Sequence, residues 1–133
     1  MKRVLVVDDD SQVLALMGRW LSGAGYDVVM ADNFKDACKQ LQAIAPEIAV
    51  IDVRLAEFNG LQLGMLAREV QPDVRLVFVS GWDDTVLRRD AAGLNATYIQ
   101  KPLLNAAELL AVIDVGRPRP PQRRVHSGAS NAR

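Results

Sequence analysis

At 133 residues, half of them apolar, the chain is long enough for one compact domain and too short for a second full one. Its apolar runs fall far below the roughly 20 residues of a membrane-spanning helix. MKRVLVV also passes straight into a strand pattern rather than a signal core, so a soluble, cytoplasmic protein is expected. The formal net charge is zero, yet residues 1–115 hold 16 acids against 11 bases, and the +5 that balances them lies beyond; the acidic part is a poor candidate for holding nucleic acid by itself.

The stretch VLVVDDDSQV opens with a buried-strand pattern, Val4 to Val7, and runs into Asp8, Asp9 and Asp10. Two carboxylates about 4 Å apart repel by roughly 4 kcal/mol at an effective dielectric near 20, so three acids beside a core require a positive counter-charge. Behind the candidate cap Ser11, residues Val13, Leu16, Met17, Trp20, Leu21 and Ala24 fall at helix spacing, with Gly23 and Gly25 suited to the exit. That spacing makes Trp20 a core residue.

Val28 to Met30 predicts a second strand, and Asn33 leads into a helix from about Phe34 to Ala45 that stops before Pro46. Cys38, the single cysteine, keeps step with Phe34, Ala37 and Leu41, which fits a buried structural thiol and excludes an internal disulfide framework. Ile48 to Ile51 reads as the third strand. The helix after Gly60 presents Leu63, Leu66, Ala67 and Val70 and ends ahead of Pro72.

Val74 to Val79 reads as a fourth strand, Asp84 to Ala92 as a weaker fourth helix, and Thr97 to Ile99 as a fifth strand. Asn105 and Glu108 open the last helix in a capping-box arrangement, followed by the apolar positions Leu109, Leu110, Val112 and Ile113. Beyond Val115 the sequence GRPRPPQRRVHSGASNAR has no apolar periodicity, so 116–133 is expected to be a disordered tail or linker. His126 has no second ligand candidate nearby.

Five strand–helix units in strict alternation imply an α/β fold, because each helix must carry the chain back in a right-handed crossover before the next strand can pair. The expectation is a flavodoxin-like, doubly wound, five-stranded parallel sheet of order 2-1-3-4-5 with five helices. In such a sheet the C-terminal strand ends line one edge, where ligands bind. Here the first strand ends at Asp8 and Asp9, the third at Asp52, the fourth at Ser80 and the fifth at Lys101. Each alone is ordinary where a chain leaves a sheet; three acids, a hydroxyl and an ammonium together are not. The donors are hard oxygens, with no His or Cys in a zinc pattern, so Mg²⁺ best supplies the missing charge. Asp10 is read instead as an acid favoured at a helix N-terminus.

Through VLVVDDD, the strand-ending Asp52 of IDVRLAEFNGL, the hydroxyl of VFVSG and the Lys-Pro of YIQKP, the chain resembles the receiver domain of two-component response regulators, over residues 2 to about 115. The resemblance implies that Asp52 is the phosphate acceptor and that Asp8 and Asp9 hold Mg²⁺ beside it, with the backbone carbonyl of Arg54 completing the protein ligands. Ser80 would bind a phosphoryl oxygen and Lys101 would pair with phosphate. A carboxylate attacks phosphorus only when its own charge and the incoming charge are both offset, which explains these residue types. The family also implies a cis Lys101–Pro102 bond, a Tyr98 that rotates into space vacated by Ser80, and control of water access by Arg54 and Trp82. Implied partners are a sensor histidine kinase or phosphotransfer protein, and an effector that reads the face of the fourth helix, fifth strand and fifth helix. Homodimerisation on phosphorylation belongs to the same expectation.

This chain departs from the family at Leu55-Ala56, where Met-Pro is usual. The rival reading is a haloacid-dehalogenase-type phosphatase, since VLVVDDDSQ also holds an acid, a spacer and an acid. Gln12 stands where that motif expects Thr or a β-branched residue, and its fold needs a longer chain. No Gly-rich phosphate loop follows the first strand, which argues against a nucleotide-binding module. The expected protein is thus a signalling phosphoacceptor rather than a turnover enzyme, either stand-alone or the N-terminal part of a longer regulator.

Overall fold

Five short apolar strands build the sheet, and the chain returns across it through a helix each time. The computed structural model describes residues 2–56, 58–101 and 105–114. In chain order the elements are β1 (Arg3–Val7), α1 (Ser11–Gly23), β2 (Asp27–Ala31), α2 (Phe34–Ile44), β3 (Ile48–Asp52), α3 (Gly60–Val70), β4 (Arg75–Ser80), α4 (Thr85–Gly93), β5 (Thr97–Gln100) and α5 (Ala106–Asp114). A two-residue antiparallel ribbon, Arg54–Leu55 against Phe58–Asn59, lies between β3 and α3. All neighbouring strands of the sheet are parallel, in the order β2-β1-β3-β4-β5. The flavodoxin-like winding expected from the alternation is therefore the one observed.

The alternation of side chains along the strands divides the core in two. Leu5 and Val7 of β1, Ile51 of β3 and Phe78 of β4 face Leu41 of α2, Leu63 of α3 and Ala91 of α4. Val4 and Val6, Val50, Val77 and Val79 face Met17 and Leu21 of α1 and Leu109 and Ile113 of α5. Fully burying one such Leu, Ile or Phe contributes about 1.5–3 kcal/mol, and covering both faces is what lets the central strands be apolar throughout.

Register does the rest of the positioning. Val7 pairs with Ile51, so Asp8 and Asp52 emerge side by side from β1 and β3. Ser80 pairs with Gln100, which places Lys101 immediately beyond the end of β4.

The helix termini correct two readings of the sequence. Asp10, not Ser11, caps α1: its extended backbone aims Oδ1 at the N–H groups of Gln12 (2.9 Å) and Val13 (3.3 Å), and Ser11 is already helical. Asn59 caps α3 through Leu61 N–H at 2.8 Å, making Gly60 the first helical residue. Asn33 caps α2 as expected, and that helix ends at Ile44, with Ala45 turning into the left-handed region at φ 43° ahead of Pro46. Asn105 accepts from Glu108 N–H at 3.0 Å, as the capping box requires.

Trp20 is half-buried against the α1–α5 core. Cys38 is half-buried rather than fully enclosed, and burial raises its thiol above the ordinary value. The Lys101–Pro102 bond and the 116–133 segment lie outside the described residues. No helix among those described is long and apolar enough to cross a membrane.

Candidate functional site

At the carboxyl edge of the sheet, β1 ends at Val7 and delivers two acids into different surroundings. Asp8 is fully buried; its Oδ1 accepts from Asp10 N–H at 2.9 Å and its Oδ2 from Lys101 Nζ at 2.8 Å. Asp9 is exposed, and its Oδ2 accepts from the N–H of Ala56 at 3.3 Å. Asp52, the last residue of β3, is buried; Oδ1 accepts from Arg54 N–H at 3.1 Å and Oδ2 from Lys101 Nζ at 3.4 Å. Each of the three acids offers a carboxylate oxygen within 4.8 Å of the other two.

Gly60 permits this crowding. Its N–H donates to Val53 carbonyl at 2.6 Å, and a Cβ at this position would run into the Asp52 carbonyl. Lys101 is anchored by its own N–H on the Ser80 carbonyl at 2.7 Å.

One ammonium does not neutralise this pocket. Burial first, and then the neighbouring charge of Asp8, push Asp52 up to about 6, against the opposing pull of Lys101 and of the Arg54 N–H. Burial by itself would draw the Lys101 ammonium down; its bond to Asp8 and the charges of Asp52 and Asp8 outweigh that and hold it above its ordinary value. Two buried carboxylates and a third nearby, sharing one lysine, remain net negative. An all-oxygen donor set of this charge fits a hard divalent cation such as Mg²⁺.

The rim is built from arginines and aromatics. The Arg54 guanidinium lies 4.9 Å over the ring of Trp82, which is 57% exposed. Ser80 is buried, with its Oγ accepting from Trp82 N–H at 3.1 Å. Tyr98 is half-buried against the core, donates its hydroxyl to the Trp82 carbonyl at 2.9 Å, and carries the Arg88 guanidinium 4.7 Å over its ring.

The structure thus brings Asp8, Asp9, Asp52 and Lys101 together, keeps Ser80 one strand away and places Arg54 and Trp82 at the rim. The sequence did not disclose the Ala56 N–H on Asp9, which no side-chain motif encodes. Nor did it disclose Arg88, ten residues before Tyr98 on a different element.

Fold and site together define a doubly wound α/β domain with an acidic, lysine-bridged pocket at the carboxyl edge of its sheet. The family model described as the response regulator receiver domain matches residues 4–114. The chain belongs to that family, a family of signalling domains.

It is 29% identical over 118 residues to the response regulator receiver protein CpdR of Brucella abortus, covering 84% of this chain and 98% of that protein. It is 32% identical over 102 residues to the photosynthetic apparatus regulatory protein RegA of Rhodobacter capsulatus, covering 76% of this chain and 55% of that one. The chain therefore spans about half the length of the latter. A response regulator from Burkholderia pseudomallei, solved with a phosphorylated aspartic acid, calcium ion and citrate, superposes with a TM-score of 0.80 at 29% identity, covering 86% of this chain and 68% of its own. A CheY-like receiver domain protein from Methanospirillum hungatei gives 0.80 at 27% identity, covering 86% and 91%. The haloacid dehalogenase alternative finds no support among these relatives.

Proposed function

We propose that Asp52 accepts a phosphoryl group from the phosphohistidine of a sensor histidine kinase or phosphotransfer protein, in a Mg²⁺-dependent reaction. The observation that carries this reading is the convergence of Asp8, Asp9 and Asp52 within 4.8 Å, with Lys101 Nζ 2.8 Å from Asp8 and 3.4 Å from Asp52. Asp8, Asp9, Asp52 and the Arg54 backbone carbonyl would hold Mg²⁺, which would supply the charge that offsets the acid cluster.

Asp52 forms the new P–O bond as the P–N bond breaks, and the imidazole leaves with the electron pair. Lys101 is free to turn from Asp8 toward a phosphoryl oxygen, since its hydrogen bonds are made to carboxylates that the cation would share. The hydroxyl of Ser80 keeps its proton for a second phosphoryl oxygen, because its Trp82 contact uses Oγ as acceptor. Catalysis here is positioning and electrostatics. Arg54 and Trp82, stacked at the rim, limit the approach of water and slow self-hydrolysis.

The output is a population shift of the α4-β5-α5 face, in which Ser80 and Tyr98 move together, read by a downstream effector or by a second copy of the chain. The setting is cytoplasmic. Coverage of nearly all of CpdR but about half of RegA supports a receiver acting either alone or as the regulatory part of a longer regulator.

Incubation with acetyl phosphate tests the chemistry. The wild type is expected to take up one phosphoryl group per chain and stop, and Asp52→Asn or added chelator to abolish uptake. Undiminished labelling of Asp52→Asn, or indifference to chelator, would overturn the reading.

A further inference from the structure

Tyr98 is held by more than strand packing. Its hydroxyl sits on the Trp82 carbonyl at 2.9 Å while the Arg88 guanidinium lies 4.7 Å over its ring. Arg88 is itself tethered, with Nε donating to Asp83 Oδ1 at 2.6 Å. These contacts belong to a longer series. Trp82 donates its N–H to Ser80 Oγ and carries Arg54 on its ring, and the N–H of Arg54 reaches Asp52 Oδ1. An unbroken run of contacts therefore connects the acceptor carboxylate to Tyr98 and ends at Arg88.

We propose that Arg88, aimed by Asp83, is a positioning residue that latches Tyr98 in its folded-in place and so sets the affinity of the Asp52 site for a phosphoryl group. This rests on the phosphoacceptor reading given above. Tyr98 packs half-buried against the same core as Leu87 and Leu94, and swinging it outward breaks the carbonyl hydrogen bond and the ring–guanidinium contact together. Ser80 and Tyr98 share Trp82, so whatever favours the folded-in ring favours the Ser80 arrangement that binds phosphate, and the coupling is reciprocal. The Asp83–Arg88 pair is solvent-exposed on both sides, and such pairs contribute little by themselves. Its effect is to fix where the guanidinium sits. A cation stacked on an aromatic ring at an exposed site shifts an equilibrium of this kind by about two- to fivefold.

The test uses the full chain labelled with 3-fluorotyrosine in a Tyr26→Phe background, which leaves Tyr98 as the single tyrosine. Fluorine NMR then reads the ring position, and titration with beryllofluoride and Mg²⁺ reads affinity at Asp52. Arg88→Leu is expected to move or split the Tyr98 resonance and weaken beryllofluoride binding about two- to fivefold. Arg88→Lys restores most of both, and Asp83→Asn falls between. A purely structural arginine would change the unfolding midpoint without moving the resonance.

The proposal is overturned if resonance and affinity are unchanged in Arg88→Leu, or if the lysine variant restores neither. Should Arg88→Leu not fold, Asp83→Asn carries the same comparison. Failure of the wild type to bind beryllofluoride would instead sink the phosphoacceptor reading, which keeps the two failures apart.

Discussion

Replacing Asp52 by Asn should make the protein more stable at neutral pH when no divalent cation is present. Burial and the Asp8 charge raise Asp52 from the ordinary 3.8 to about 6. The folded chain therefore holds this proton more tightly than the unfolded chain does. The stabilisation linked to it is complete below pH 3.8, declines between 3.8 and 6, and is gone above 6. A shift of about two units at ~1.4 kcal/mol each puts the cost of ionising Asp52 in the fold at about 3 kcal/mol or less. Asn never ionises and avoids that cost.

Urea unfolding in EDTA, followed by circular dichroism from pH 3.5 to 8, measures the difference between the two chains. Asp52→Asn should exceed the wild type by up to about 3 kcal/mol at pH 7.5, or about 10 °C in Tm, with the gap closing toward pH 4. Mg²⁺ should narrow the gap from the other side: a ligand at 100 times its Kd adds about 2.7 kcal/mol to the chain that binds it, and the Asn variant offers the proposed site a neutral amide oxygen in place of a carboxylate. A variant no more stable than the wild type at pH 7.5 in EDTA, or a gap that does not vary with pH, would refute this account of Asp52.

Lys101→Met leaves Asp8 and Asp52 without their shared cation; with the lysine side chain 22% exposed, the loss should be about 3 kcal/mol or less at pH 7.5 in EDTA, and an unchanged urea midpoint would show that Lys101 is not the counter-charge. Gly60→Ala drives a Cβ into the Asp52 carbonyl, so about 1–3 kcal/mol of stability and most of the acetyl phosphate labelling rate should be lost; normal labelling would contradict the geometry. Asp10→Ala should cost about 1 kcal/mol as a lost helix cap, and Ser11→Ala only a few tenths; the reverse order would make Ser11 the cap after all. Trp82→Ala removes the ring beneath Arg54, and the phosphorylated protein should decay faster than the wild type; slower decay, followed on phosphate-affinity gels, would overturn the role given to the rim.

How much of this was legible beforehand depends on the range of the forces involved. The sheet and its order could be read because near-continuous apolar runs leave few alternatives once both faces must be covered. Asp8, Asp52, Ser80 and Lys101 could be read because a parallel sheet sends all its strand ends to one edge. What sequence could not divide was the work of neighbours in VLVVDDDS. Asp10 and Ser11 are both good caps, and the choice falls to the extended backbone of Asp10 at φ −86° and ψ 110°. Asp8 and Asp9 are chemically identical, yet consecutive residues leaving a strand face opposite ways: one is buried on Lys101, the other is exposed on the Ala56 N–H. Contacts such as Arg88 on Tyr98 join elements through side-chain packing that no spacing rule announces.

The raised Asp52 records the conflict between an apolar core and the acids at its edge: of the three in succession only Asp8 is buried, while Asp9 is exposed and Asp10 caps α1. Had a second base stood beside Lys101, it would balance the two buried carboxylates, Asp52 would be raised less, and a divalent cation would find only the exposed Asp9 left to satisfy. The described site has a single ammonium within reach of both buried carboxylates, and burial, with the repulsion from Asp8 added to it, raises Asp52 against that ammonium's pull. Ionising Asp52 in these surroundings costs the fold about 3 kcal/mol or less, and relief of that cost would favour the cation and the phosphoryl group proposed above. The two core layers beneath, with Phe78, Leu5 and Ile51 fully enclosed, supply the margin that lets the domain keep its edge under strain.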